Sequence, residues 1–440
     1  MLVTTIALAV LAAAGLVGWR VVKGGSGSSR SAAGSWDRIA LVDRTTGAIT
    51  TIDDSGQVEA TIVGSGRATD VHAYAAQIAM IGIDRITIVD THDPTAEPTL
   101  IPFERGNTVT PVSTSGSSYL VVGNPTGGNV LIVDVGTGNV IDVFAAADPV
   151  QPLIFPETLR WAADGSAFAA ADAANFQTIL VQPGVATAIF LPDQPVAVGD
   201  ELVATSETVG LQVDIALVDH ERRDRAKVRS EIPAGAIMID DQLVMVSVDG
   251  GVYRLEAGAE TADKIGTIAV PSGDRIGLVR PALDQARIVV AGDTFEAVID
   301  LDGNTVFTTS FAATVGVAAP DPAWTCLAVG GGASFHSLIS LESGEQLADL
   351  TGLVVTGTSS DGCTVIGERA GATEVVAGEG SIRLGLLRAA TLGPDGRTVV
   401  RTTTTGTTEL VGIDDDFALT EAIDLSDIAP SNLAVAFLTD

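Results

Sequence analysis

Turn signals return at nearly constant spacing along almost all of this 440-residue chain, and no other feature limits its fold so tightly. One signal is an Asp-Gly pair leading into an alternating run, at Asp164-Gly165, Asp361-Gly362 and Asp395-Gly396. The step from 361 to 395 is 34 residues, and the step from 164 to 361 is 197, or about five units of roughly 39. Glycine suits such a turn because it reaches positive φ without a Cβ clash. Asp249-Gly250 and Asp302-Gly303 fall off this register and are expected in other hairpins. A second signal, Asp-x-x-(Ser/Thr)-Gly, is clearest at Asp134 to Val140 and weaker at Ser340 to Gly344. Asp43 to Ile49 matches it too, but from a different place in its unit.

Between turns the chain reads as strands. Ile78 to Gly82, Leu120 to Gly123, Leu243 to Val246 and Ile288 to Ala291 are short apolar runs, suited to strands buried on both faces. Thr305 to Phe311 mixes apolar and polar residues, as an outer strand would. Units begin near Thr69, Thr108, Thr158, Pro195, Ala234, Arg275, Thr314, Leu353 and Leu387. A further unit forms from both ends, Asn432 to Leu438 pairing with Arg38 to Val42, which removes the last open sheet edge. Helix-poor repeats of this length imply an all-β chain: one large β-propeller of four-stranded blades, about seven to ten in number.

The propeller is expected over 37–440. Ahead of it, residues 1–19 carry no charged side chain, and 1–22 read as one transmembrane or signal-anchor helix with Trp19 at the interface. Residues 23–36 are a Gly/Ser-rich tether. Arg20, Lys23 and Arg30 follow the apolar segment, an arrangement that by itself would hold the ring in the cytoplasm. A signal peptide cut near Ala12-Ala13-Ala14 is the competing reading, without the usual basic start. The anchor-and-tether layout favours a single-pass cell-membrane protein with an extracytoplasmic ring.

Net charge is −31 with only three lysines, Lys23, Lys227 and Lys264, so nucleic-acid binding is not expected. Aromatics make up 4%, a scarcity that counts modestly against polysaccharide binding and against a high-affinity hub role. His72, His92, His220 and His336 have no partner at metal-ligand spacing. Asp53-Asp54 and Asp414-Asp415-Asp416 lack the alternating calcium-loop pattern. Gly330 to Ser334 lacks the lysine and helix of a phosphate loop. No catalytic residue, cofactor or metal site is expected.

Two features stay open. Cys326 and Cys363, 37 residues apart in matching places of adjacent units, are either a disulfide between blades or two buried thiols. Arg223, Arg225, Lys227 and Arg229 share one face of a strand, either as a contact for an acidic partner or as protection of a sheet edge.

The Asp-Gly turns resemble those of WD40-like and TolB-like propellers, and Asp134 to Val140 resembles the repeat of quinoprotein-like (PQQ-like) propellers. The resemblance implies the fold over most of 37–440. The tryptophan that ends a quinone-docking repeat is missing, since Ile141-Asp142-Val143-Phe144 follows Val140 and Ala48-Ile49-Thr50-Thr51 follows Gly47. Quinone chemistry is therefore not implied. The reading that follows is a membrane-tethered, non-catalytic propeller of the cell envelope that binds a protein partner. A lactonase- or hydrolase-type enzyme and a small-molecule sensor with a channel site are the alternatives. The sequence leaves the oligomeric state open.

Overall fold

A computed structural model describes residues 35–439, apart from 65, 115–117, 148–150, 184, 186–187, 211, 311–322, 332–333 and 379. The expected membrane segment, and the tether except Ser35 and Trp36, lie outside the described residues. Among the described residues no helix is long and apolar enough to cross a membrane.

Short runs of β-branched and aliphatic residues, punctuated by tight turns, form antiparallel four-stranded meanders. Asp70–Tyr74, Gln77–Ile81, Arg85–Asp90 and Thr99–Pro102 make the first unit. Later units open with Thr108–Ser113, Arg160–Trp161, Gln194–Val198, Pro233–Ile239, Ile276–Ala282 and Leu387–Leu392, close to the starts expected from the repeat. The start near Thr314 lies outside the described residues. Counted as hydrogen-bonded sheets, the propeller has nine blades among the described residues, eight of four strands and one of six.

The six-stranded blade carries two repeat units on one long strand, Gln346–Thr358. Its first half pairs with Ser334–Ser340 and its second half with Thr364–Arg369. Gly352, at φ +77°, supplies the left-handed turn between the halves where other units have a connecting loop.

The ring closes as the sequence suggests. Leu433–Leu438 pairs antiparallel with Arg38–Asp43, Leu438 opposite Arg38 and Leu433 opposite Asp43. Trp36 seals the seam: its Nε1 donates to Asp395 Oδ2 at 3.0 Å, and its ring meets Phe437 edge-on at 5.7 Å. Ten apolar clusters each lie at a junction between neighbouring repeat units, and the one built from Ile39, Leu41, Val400, Leu410, Val435 and Phe437 joins the last unit to the closing one. The core is therefore a circle of interfaces, each strand burying alternate residues against the blade before and the blade after.

The turn signals sort by position. Asp164-Gly165, Asp361-Gly362 and Asp395-Gly396 all join first to second strands, with glycine φ between +69° and +81°. Asp249-Gly250 joins second to third strands and Asp302-Gly303 third to fourth, which explains their shifted register. Asp43 to Gly47 and Asp134 to Gly138 likewise occupy different hairpins of their units.

The Asp361 turn also brings the cysteines together. The Asp361 carbonyl accepts from both Thr325 N and Cys326 N, and a Cβ at Gly362 would stand 2.5 Å from the Cys326 carbonyl oxygen. This close approach sets the Cα atoms of Cys326 and Cys363 4.9 Å apart, joined through their sulfurs across two units that already share a strand.

Candidate functional site: channel and faces of the ring

First strands of successive units touch one another: Gln194–Val198 against Pro233–Ile239, Pro233–Ile239 against Ile276–Ala282, and Leu433–Leu438 against Asp70–Tyr74. They form the inner circle that surrounds the channel. Their side chains are mostly small and aliphatic or hydroxylated. Among the described first strands the charged or titrating exceptions near neutrality are Arg160, Arg280, Arg388, Asp70 and His72. On a chain of net charge −31, the channel wall is thus locally cationic.

Arg160 and Arg280 hold the same place in their units. Each precedes by two residues a fully buried alanine at the end of its strand, in Arg160-Trp161-Ala162 and Arg280-Pro281-Ala282. Arg160 pairs with Ala169 and Arg280 with Val289 on the adjoining strands. Both are exposed to solvent, yet both are enclosed deep within the ring. That enclosure desolvates each guanidinium and lowers its pKa, and for Arg160 the charge of Arg280 adds to the effect, bringing it to about 10. The two stand three units apart around the circle. Arg160 Nη1 donates to the Leu159 carbonyl at 3.1 Å, whereas Arg280 has no hydrogen bond or ion pair among the described residues.

A cavity of about 490 Å³ follows the wall beside Arg388, between the last two repeat units and the closing strand. It reaches from Arg44 at one face of the ring to Pro394 at the other, and Glu368, Thr358 and Thr391 line it. Asp70, the one carboxylate on a described first strand, stands 3.2 Å from His72 Nε2. Burial opposes its ionisation, but His72 and the nearby Arg44 outweigh this and lower its pKa.

The two faces differ in chemistry. Turns joining first to second and third to fourth strands share one face, and this face is acidic: Asp164, Asp200, Glu201, Asp240, Asp241 and Asp284 in the former, Asp53-Asp54 and Asp414 to Asp416 in the latter. Crowding there is enough to raise the Asp200 pKa, through partial burial first and then through the Asp164 and Asp241 carboxylates. The opposite face, formed by the second-to-third turns and the connections between units, also carries acids, Glu104, Glu207, Glu231 and Asp249 among them, and with them exposed apolar side chains. Leu153, Phe176, Val209, Ile232 and Val248 fall there on three successive units, Phe176 62% and Val248 63% exposed. Phe176 also has φ +54°, an unfavourable conformation for a bulky residue that the Asp172 carboxylate helps to hold by accepting from Ala174 N and Asn175 N.

The basic stripe lies where its period of two places it. Arg225, Lys227 and Arg229 are exposed on the outermost strand Asp224–Ser230, while Ala226 and Val228 point into the core, and Arg223 precedes the strand. Acids of the same unit answer most of it. Asp219 Oδ2 accepts from Arg223 Nε and Arg225 Nε, both at 2.8 Å. Arg229 grips Asp214 with two nitrogens at 2.7 and 3.0 Å. Asp219 stays well below the usual carboxylate range: its desolvation is outweighed by the Arg223 backbone N–H and the two guanidiniums.

Sequence reading singled out neither Arg160 and Arg280 nor the apolar arc. The arginines were findable, since the Arg-x-Ala triplets stand 120 residues apart, about three repeat lengths. The arc had no such signal, because its members occupy turns and connections that differ from unit to unit.

Among the described residues no group of three or more His, Cys, Asp and Glu is placed to hold a metal ion. No family model matches the chain. No curated protein matches it. Solved structures similar to it include a crystal structure of the eukaryotic initiation factor, 12% identical over 89% of this chain and 97% of that one, with a TM-score of 0.48. A computationally designed protein is 11% identical over 74% of this chain and 96% of its own, with a TM-score of 0.41. A dihydro-heme d1 dehydrogenase is 12% identical over 91% of this chain and 75% of its own, also with a TM-score of 0.41.

Proposed function

We propose that this propeller is a non-catalytic binding module that docks a protein partner on its apolar face, held at a membrane of the cell envelope by residues 1–22. The observation that carries the reading is the arc of Leu153, Phe176, Val209, Ile232 and Val248 on one face of a ring whose other face is crowded with carboxylates. Contiguous exposed apolar surface rimmed by polar residues marks interaction sites, and an aromatic held in an unfavourable backbone conformation at a turn tip is a natural anchor. The partner presents a complementary apolar patch of low negative charge, since the acidic ring repels anionic surfaces.

The entry of the chain supports the arrangement. Trp36, near the start of the described residues, is fixed against Asp395, in a first-to-second turn on the acidic face. A tether arriving there would leave the apolar arc turned away from the anchor, open to a partner.

The test is crosslinked capture of the full-length protein from its own membranes, followed by mass spectrometry, run in parallel on a Leu153→Asp/Phe176→Asp variant and on an Asp414→Asn/Asp416→Asn variant. The reading expects a stoichiometric partner that the first variant loses and the second keeps. A partner kept by both, or lost only by the second, would reject the apolar face as the docking surface.

A further inference from the structure

The cavity beside Arg388 holds two opposite charges that do not meet. Arg388 and Glu368 both line it, and neither has a hydrogen bond or an ion pair among the described residues. Their neighbours do pair: Arg369 with Glu374 at 3.3 Å and Arg401 with Glu409 at 2.7 Å. The topology brings the two open groups to one end of the cavity. Glu368 is the last residue but one of Thr364–Arg369, a second strand. Arg388 is the second residue of Leu387–Leu392, the first strand of the next unit, and these two strands are in contact. Second strands end, and first strands begin, on the face of the second-to-third turns. The Arg388 guanidinium lies there, since a Cβ at Gly406, in such a turn, would stand 3.8 Å from its Nη1. Arg44, the third charged group of the lining, stands at the same face, where its Nη1 donates to the Thr69 carbonyl at 2.8 Å.

Away from this mouth the lining is uncharged. Thr358 and Thr391 offer hydroxyls that no described residue engages, and Leu392, Val400 and Phe437 supply apolar wall. At the far end Ser360 Oγ donates to the Pro394 carbonyl at 3.0 Å.

We propose that this cavity binds a small zwitterion, a primary ammonium and a carboxylate on a neutral body, as in a neutral amino acid or a short neutral peptide. The carboxylate takes the Arg388 fork, whose N–H donors match two carboxylate oxygens. The ammonium donates to Glu368. Each open group of the cavity then gains the opposite charge that the fold withholds from it, and neither charge of the ligand enters without a partner. The neutral body lies against Leu392, Val400 and Phe437, with the two threonine hydroxyls to meet its polar atoms. Phe437 is the one aromatic of the lining among the described residues, so the cage that suits a quaternary ammonium is not built. At about 490 Å³ the space falls within the roughly 300–1,000 Å³ of small-molecule pockets. It belongs to the last two units and the closing strand, away from the apolar arc, so this site and the docking face can fail separately.

The experiment is calorimetric titration of the purified full-length protein with L-leucine and, separately, leucyl-leucine, and with the amide and the deamino analogue of each. The expected result is saturable one-to-one binding of at least one zwitterion, about tenfold or more tighter than its amide and its deamino analogue. Binding of leucine alone assigns an amino acid, binding of the dipeptide alone assigns a peptide, and where both bind the tighter one assigns the class. Arg388→Gln should weaken the zwitterion about tenfold or more and leave the amide unchanged. Glu368→Gln should weaken it as much and leave the deamino analogue unchanged. A merely structural role for either side chain would not give this crossed pattern. Both residues are exposed, so the variants should melt with wild type in the absence of ligand. Failure of both zwitterions to bind wild type, amides that bind as tightly as their parents, or equal affinity in wild type and the two variants would overturn the proposal.

Discussion

Glu296 lies in the third strand of its unit, fully buried between Ala291 and Thr309 on the flanking strands. Its Oε2 accepts from Gly330 N at 3.2 Å and its Oε1 has no partner. Burial, only partly opposed by that hydrogen bond, pushes its pKa up to about 8, so the folded protein keeps it neutral at physiological pH. Unfolded, the same group ionises near its ordinary value. Between those two pKa values the unfolded chain holds fewer protons than the folded one, so stability falls as pH rises, by up to roughly 1.4 kcal/mol per pH unit from this group. Glu296→Gln should therefore unfold at higher urea than wild type at pH 8 and differ little at pH 4.5. A variant no more stable at pH 8 than at pH 4.5, relative to wild type, would contradict the assignment. Asp219 behaves oppositely. Its depressed pKa means that its contribution is present at neutral pH and lost on acidification through the carboxylate range. Asp219→Asn should lower the urea midpoint at pH 7, and the gap to wild type should close as the pH is brought towards 2. Sequence could not expose either residue, because what sets them apart is which neighbours surround them: Glu296 reads as one more charge in a strand, and the partners of Asp219 are visible only as a nearby basic run.

At the scale of the element, the repeat was legible because its punctuation is physical. Glycine is needed at the left-handed position of each Asp-Gly turn, and those turns fix the start of each second strand, so unit starts could be placed to within a few residues. The double blade was hidden for the same reason: the junction at Gly352 has no loop, and Leu347 to Thr358 looks like two strands of separate units rather than one. The cysteine pair crosses this junction. Sequence distance alone could not decide between a bond and two thiols, since matching positions in neighbouring sheets are ordinarily too far apart. It is the packing of the Asp361 turn against Cys326 that brings them within reach. Closing a 37-residue loop is worth about 4 kcal/mol in a chain-entropy account. Reductant should lower the denaturation midpoint, and Cys326→Ser/Cys363→Ser should match the reduced protein and no longer respond to it. Full alkylation of both thiols in non-reduced, denatured protein would show that the bond is not formed.

For the whole molecule, closure and asymmetry matter most. Closure was readable from the two ends, where alternating apolar runs had no other partner, and the pairing of Leu433–Leu438 with Arg38–Asp43 completes the circle of apolar interfaces. Truncation after Ser431 should leave the edge of Arg38–Asp43 unpaired and its apolar interfaces uncovered, and light scattering should report aggregation where the intact chain stays dispersed. The apolar arc was not legible, because its members lie far apart in the sequence and share one face only when the meanders are stacked. That arc is the basis of the functional account: acidic turns on the face where Trp36 stands, an apolar arc on the far side, and arginines within the channel. The measurement that tests it most directly is the paired capture experiment on intact membranes, comparing wild type with the Leu153→Asp/Phe176→Asp variant. The account predicts a stoichiometric protein partner present with wild type and absent with the variant, both proteins being equally folded. An unchanged partner in the two preparations would contradict it.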